Sequence, residues 1–299
     1  MNPIPILLAL VPGPIADPIP VVVSTDIGCE VDDQFAIAWL ALSPRFDLRA
    51  IVTAHAPELT PDRSAGVARE LLDGLSPPRR PPVIPGSARP IRLDEPARTN
   101  AGVDRLLAES RGFGPDRRLA IALIGPATDV ATALRIDPGF ADRVAITAMA
   151  FEGWPGGGDP FNVKNDEPAW SILLDSTIPL TVVDATVTRR HLLLAREAAP
   201  GRVAPLGKAG DALLGPFLAW LDGKPDFVAE ISGTRGAWPI WDLGVVSSLL
   251  GSAPATEHPR PRLGPERTLD HAGPARGTIR WVTAIDAEAT WGELARLAR

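Results

Sequence analysis

Short aliphatic or β-branched runs alternate along the chain with longer segments whose apolar residues recur at helical spacing. Val21, Val22 and Val23 form the first such run, and it suits a strand covered on both faces. Leu48 to Thr53 reads as a second strand and Ser64 to Leu75 as an amphipathic helix. A proline-rich connector from Pro77 to Pro82 leads to a short strand near Val83 and Ile84, and Thr99 to Arg111 reads as a helix. Leu119 to Ile124 is the next clear buried strand, after which Gly125-Pro126 opens a helix through Leu134. Val144 to Phe151 and Pro179 to Val183 give two more strands, with a helix near Pro168 to Leu174 between them. This alternation predicts an α/β fold with a mostly parallel central sheet and helices on both faces. In such sheets ligands bind outside the carboxyl ends of the strands.

The second half is less regular. Leu206 to Leu221 reads as a helix, and Pro239 to Leu250 as a helix entered by Pro and Trp. Ser252 to Arg276 is rich in Pro, Gly and charge and reads as an irregular excursion, and Gly277 to Ile285 reads as a late strand before a helix from Glu288. No repeat or linker divides residues 20–299, which are expected to form a single domain behind an N-terminal arm at 1–19. Within that arm Ile6 to Val11 is apolar and Ala16 could end a cleavage site, but no Lys or Arg precedes them and prolines interrupt the run. The expectation is a cytoplasmic chain with an extended arm, the alternative being export through a weak signal peptide.

Composition narrows the partners. A chain of 299 residues, 45% hydrophobic, can bury a large core. The net charge of −6 and the absence of a basic stripe argue against nucleic acid as a partner. No run approaches the roughly eighteen apolar residues of a spanning helix, so no membrane is expected either. Cys29 is the one cysteine, which excludes an internal disulfide framework, and its place among acids makes it a packing residue rather than a reactive thiolate.

Chemistry concentrates directly after the first strand, where Asp26, Glu30, Asp32 and Asp33 fall within eight residues around Gly28. Two readings are compatible with this turn. Asp side chains near a helix N-terminus meet the macrodipole favourably, which needs no ligand. Alternatively, a hard cation such as Ca²⁺, which takes roughly six to eight oxygen ligands, would reverse the mutual repulsion of acids that converge.

Thr25-Asp26-Ile27-Gly28 followed by Asp32-Asp33 resembles the aspartate signature of the nucleoside hydrolases, the calcium-dependent N-ribohydrolases, whose common form is D-x-D-x-G-x-D-D. Here Ser24 replaces the first Asp and two extra residues precede the Asp pair, so Glu30 rivals Asp32 in the comparison. Ile124-Gly125-Pro126-Ala127-Thr128-Asp129 resembles the family's x-G-P-x-T-N segment, with Asp129 where Asn is usual. Asp159 to Asp166 resembles its E-F-N-x-x-x-D-P segment, Pro85 to Pro90 its A-G-x-x-x-P-L turn, and Trp241-Asp242 the position of a late calcium-binding Asp. The usual V-x-G-N after the second strand is replaced by Thr53-Ala54-His55-Ala56-Pro57-Glu58.

The resemblance implies a Rossmann-like core and calcium-dependent hydrolysis of the N-glycosidic bond of ribonucleosides. Asp26 would be both calcium ligand and general base, with Asp33, Asp242 and the Ile124 carbonyl as the other protein ligands. Asp32 and Asn162 would hold the sugar. Asp159 or Glu152 is a candidate to replace the ribose-binding Glu that falls on Pro160, and His55 or Glu58 to replace the missing Asn. Trp241 stands where a purine-preferring group has Trp, so it would stack on the leaving base, with Trp154 and Trp238 as candidate second walls. The resemblance also implies a homodimer or homotetramer. Two alternatives keep the same site: a hydrolase of another ribosyl compound, and a non-catalytic calcium- and ribose-binding protein. A haloacid-dehalogenase-like phosphatase, another family with D-x-D after its first strand, is disfavoured because Ser24 stands at the nucleophile.

Overall fold

The computed structural model describes residues 17–158, 161–273 and 276–297. The N-terminal arm up to residue 16 and Asp159 lie outside the described residues.

The described residues form twelve strands: β1 Ile19–Thr25, β2 Phe46–Thr53, β3 Val83–Pro85, β4 Leu119–Leu123, β5 Val144–Met149, β6 Leu180–Val183, β7 Leu193–Ala195, β8 Ala237–Pro239, β9 Ala255–Pro259, β10 Arg262–Leu263, β11 Leu269–Asp270 and β12 Thr278–Val282. The helices that matter most for the site are α1 Asp32–Leu42, α2 Pro61–Leu75, α3 Ala101–Ser110, α4 Thr128–Ile136 and α5 Phe140–Arg143, then α6 Asn162–Asn165, α7 Glu167–Leu174 and α8 Ala185–His191. After these come α9 Ala199–Val203, α10 Lys208–Gly223, α11 Pro225–Ser232, α12 Leu243–Leu249 and α13 Ala287–Arg296.

Eight strands form the central sheet in the order β3-β2-β1-β4-β5-β6-β12-β9, parallel throughout except for β9, which runs antiparallel to β12. β1 to β3 grow the sheet in one direction and β4 to β6 in the other, so the order reverses between β1 and β4. That reversal opens a crevice at the carboxyl ends of those two strands. Alternation along β1 explains why both faces are covered: Val21 and Val23 enter one hydrophobic cluster with Phe35 and Trp39 of α1, while Val22 enters the other with Val52, Leu106 and Ile121. Side-chain oxygens fix several helix starts. Thr60 caps α2, Asn100 caps α3, Asp166 caps α7 and Asp184 caps α8, each accepting a backbone N–H from the first turn. No helix among the described residues is long and apolar enough to cross a membrane.

The first half follows the sequence expectation closely, and the second departs from it more, with β7, α9 and α11 among the elements not expected. The segment from Ser252 to Arg276 carries β9, β10 and β11 rather than loop alone. The expected helix from Pro239 to Leu250 divides into the end of β8 and the shorter α12. Residues 185–191, left unassigned by the hydrophobic pattern, form α8.

Candidate active site

β1 delivers Thr25 to the carboxyl end of the sheet, and the chain then turns through Asp26 to Val31 before α1 begins at Asp32. Gly28 has φ of +99°, a conformation that side chains rarely adopt, so this acid-crowded turn depends on its lone glycine. The turn is cross-braced: Cys29 N–H donates to the Asp26 carbonyl at 3.0 Å, Ile27 N–H donates to Thr25 Oγ1 at 3.1 Å, and Thr25 Oγ1 donates to Asp33 Oδ1. Far along the chain, β8 and the turn after it bring Trp241 and Asp242 to the same place. Asp242 is the N-cap residue of α12, yet its side chain caps nothing. The simple capping explanation for this lone buried acid therefore fails.

All four aspartates are buried, Asp26 to 6% exposure, Asp32 to 4%, Asp33 to 3% and Asp242 to 2%. Asp32, Asp33 and Asp242 offer carboxylate oxygens within 4.8 Å of one another. Among the described residues none of those three pairs with a basic side chain, and Asp32 Oδ1 and Asp242 Oδ2 are buried without a hydrogen-bond partner. Burial dominates their titration. It pushes Asp32 up to about 7. Burial, then the charge of Asp26 and Asp32, holds Asp33 well above the usual carboxylate range, and burial with the Asp32 and Asp33 charges does the same to Asp242. Burial and Asp26 also raise the Cys29 thiol, which lines the cleft as an unreactive wall.

A buried, all-oxygen, anionic donor set with orphaned oxygens fits a hard divalent cation and would be costly without one. The neighbouring strand adds a further oxygen. Ile124 N–H donates to the Ser24 carbonyl at 2.8 Å, which locks β4 beside β1, and the Ile124 carbonyl accepts from Asn162 Nδ2 at 3.3 Å. The same Nδ2 donates to the Met149 carbonyl at 3.0 Å, so Asn162 ties the ends of β4 and β5 together at the cleft.

The rest of the lining is largely apolar and aromatic. A cleft of about 690 Å³, counting space open to solvent, is lined by the aspartates together with Met149, Phe151, Phe161, Ile231, Trp241 and Arg189. Phe151 has φ of +66° and is 1% exposed, with its ring 5.2 Å from that of Trp170. A bulky non-glycine residue in the left-handed region costs on the order of 1–3 kcal/mol, and such strain concentrates where a site fixes its geometry.

Asp26, Asp32, Asp33, Ile124, Asn162, Trp241 and Asp242 therefore all line one cleft. His55, Trp154 and Trp238 do not. His55 is buried with Nε2 3.0 Å from Thr128 Oγ1, which in turn donates to Asp166 Oδ2 at 2.6 Å. Asp166 also accepts the backbone N–H of Ile91 and of Ala169, which is a structural role. Asp129 is likewise spent on structure, accepting from Ser87 and from Asn100 Nδ2 at 3.0 Å. Trp154 stacks on His258 with centroids 4.2 Å apart and meets Trp281 at 5.2 Å. Trp238 is fully buried, its ring edge-on to Trp241 at 6.1 Å. The sequence reading missed Arg189, Phe161 and Ile231 in the cleft. For Arg189, in the last turn of the short α8, the hydrophobic pattern carried no signal.

The family description "inosine-uridine preferring nucleoside hydrolase" matches residues 21–291. No curated protein sequence matches the chain. A plant nucleoside hydrolase of known structure is 18% identical with a TM-score of 0.73, covering 94% of this chain and 99% of its own. An inosine-guanosine nucleoside hydrolase is 17% identical with a TM-score of 0.75, at 93% and 98% coverage. A purine-preferring ribonucleoside hydrolase from Gardnerella vaginalis is 19% identical with a TM-score of 0.74, again at 93% and 98%. These likenesses establish the shared fold, and the match over residues 21–291 places the chain in the inosine-uridine preferring nucleoside hydrolase family.

Proposed function

We propose that this protein hydrolyses the N-glycosidic bond of ribonucleosides, with a preference for purines, and that it does so with calcium. The observation that carries the reading is that four buried aspartates line the same cleft as Trp241. Clustered carboxylates suit a sugar with vicinal hydroxyls, and apolar, aromatic lining residues suit a planar base.

Asp26, Asp33, Asp242 and the Ile124 carbonyl would hold the cation. When bound, Ca²⁺ supplies a hard Lewis acid that orients the ribose hydroxyls and acidifies a water. Asp26 takes the proton of the attacking water, as a carboxylate within reach of that water can. Asp32 accepts a hydrogen bond from a ribose hydroxyl, and Asn162 fixes the sugar at the lip where it joins β4 and β5. The bond from C1′ to the base nitrogen breaks with its electron pair going to the base. Water oxygen bonds to C1′, and the base takes its proton from solvent. Trp241 packs on the base and excludes water from it, which favours departure without a dedicated acid of the kind paired-carboxylate glycosidases use. Assembly as a homodimer or homotetramer accompanies this reading and is checked by sedimentation.

The test is release of free ribose from inosine, guanosine, adenosine, uridine and cytidine, with calcium and after chelation. Chelation-sensitive release, fastest from purine nucleosides, is expected. Release that chelation leaves untouched would reject the calcium site, and no release from any nucleoside would reject the hydrolase reading.

A further inference from the structure

We propose that Arg189 reads the leaving base, donating from its Nε–Nη2 edge to the O6 and N7 of a 6-oxopurine, so that hypoxanthine and guanine are selected over adenine. The inference rests on the reading of the cleft as a nucleoside site and names the class of base that site takes.

Arg189 lies in the last turn of α8 and lines the cleft beside Trp241. Its Nη1 donates to Glu152 Oε1 at 3.0 Å, and its guanidinium carbon sits 5.3 Å from the Trp241 ring centroid. The pair is held by backbone as well as by charge. Ala185 N–H donates to the Phe151 carbonyl at 3.0 Å, and Thr186 donates to the Glu152 carbonyl from both its N–H, at 3.0 Å, and its hydroxyl, at 2.7 Å. The start of α8 is thereby fastened to the segment that carries Glu152, and the guanidinium is oriented before any ligand arrives.

One side of that guanidinium is engaged by Glu152. On the other, Nε is buried without a hydrogen-bond partner, and no described residue accepts from Nη2. A buried donor without an acceptor is costly, so Nε gains most from a ligand acceptor, with Nη2 beside it placed to donate to the same ligand. Arginine offers donors only. Hypoxanthine and guanine present two acceptors side by side at O6 and N7, which match a two-donor edge, whereas adenine pairs its N7 acceptor with an N6 amino donor that would face another donor. Negative charge that develops on the base as the bond to C1′ breaks would fall beside the same cation.

The experiment is calorimetric titration of the whole protein, in calcium, with hypoxanthine and with adenine, alongside ribose release from inosine. Wild type is expected to bind hypoxanthine about tenfold or more tightly than adenine. Arg189→Met should bring the two affinities within about threefold of each other, and Arg189→Lys, which keeps the charge but not the fork, should do the same. Equal affinities in wild type, or a preference that survives in Arg189→Met, would overturn the proposal. A preference retained only in Arg189→Lys would overturn the two-donor reading. Base preference with no ribose released from inosine rejects the hydrolase reading instead, so the two failures are separable.

Discussion

Gly125, in the turn just after β4, lies so close to Asp26 that a β-carbon built on it would sit 2.7 Å from the Asp26 backbone nitrogen and 2.9 Å from its Oδ1. Contacts that short do not occur, so any side chain at position 125 must push the candidate base and metal ligand aside. Gly125→Ala is expected to lose about 1–3 kcal/mol of stability through overpacking. It should also lower kcat/KM for inosine by about a hundredfold, because a displacement of roughly 1 Å in a catalytic group costs that much. Thermal unfolding and ribose release measure the two effects, and an active Gly125→Ala would mean that Asp26 does not need its observed position.

Asp26 itself carries the sharpest prediction. Asp26→Ala removes a proposed metal ligand and the proposed base together, and turnover should fall by at least about a thousandfold. Asp26→Asn keeps an oxygen donor at the same place but cannot take a proton. It should therefore retain more of the calcium affinity than Asp26→Ala while remaining inactive. Turnover near that of wild type in either variant would move the base to another residue.

The strands that frame this site were legible because their residues leave little choice. Val21 to Val23 and Leu119 to Leu123 are aliphatic runs that only a doubly covered sheet buries, and both are fully or nearly fully buried in the centre of the sheet. β9 was not legible. Ala255–Pro259 is a half-exposed edge strand of mixed polarity, with Pro beside it, and its pairing to β12 is a long-range event that no local pattern announces. Asp26, Asp32 and Asp33 could be grouped from sequence because they are local to one turn, whereas Asp242 joins them only through the fold. Arg189 was missed because its significance lies in an approach to Trp241 across more than fifty positions of chain. Trp154 shows the converse error. An indole in a glycine-rich loop is equally suited to a ligand wall and to a packing role, and here it packs on His258 and Trp281.

Trp241 should separate leaving groups. Stacking on a purine is worth roughly 1–3 kcal/mol, so Trp241→Ala should slow purine nucleosides by about ten- to a hundredfold. An activated nitrophenyl riboside, whose leaving group departs unaided, should lose much less. Trp241 is 7% exposed and packs edge-on to Trp238, so Trp241→Phe serves as the variant that keeps more of the packing. Equal losses on both substrates in both variants would assign Trp241 to the core alone.

The titration of Asp32 gives a signed prediction about pH. Burial raises its folded pKa to about 7 from an ordinary value of 3.8. The folded chain then binds a proton more tightly than the unfolded chain, and the sign follows from linkage. This contribution to stability is fully present below the unfolded value and is lost as pH rises toward 7, at a slope of at most about 1.4 kcal/mol per pH unit for the single group. Asp33 and Asp242 are raised by the same burial and push in the same direction. Chelated protein should accordingly unfold at progressively lower temperature between about pH 5 and pH 7.5. Calcium binds the deprotonated carboxylates, so its affinity should climb with pH through the same window and each binding event should release protons. Calorimetry in two buffers of different ionisation enthalpy counts those protons, and thermal unfolding with and without chelator measures the slope. Asp32→Asn removes one titrating group from the cluster, and the chelated slope should become shallower in that variant. An unfolding temperature that rises with pH in chelated wild type would contradict this account, because it would mean that the aspartates are held charged by the fold before any cation reaches them.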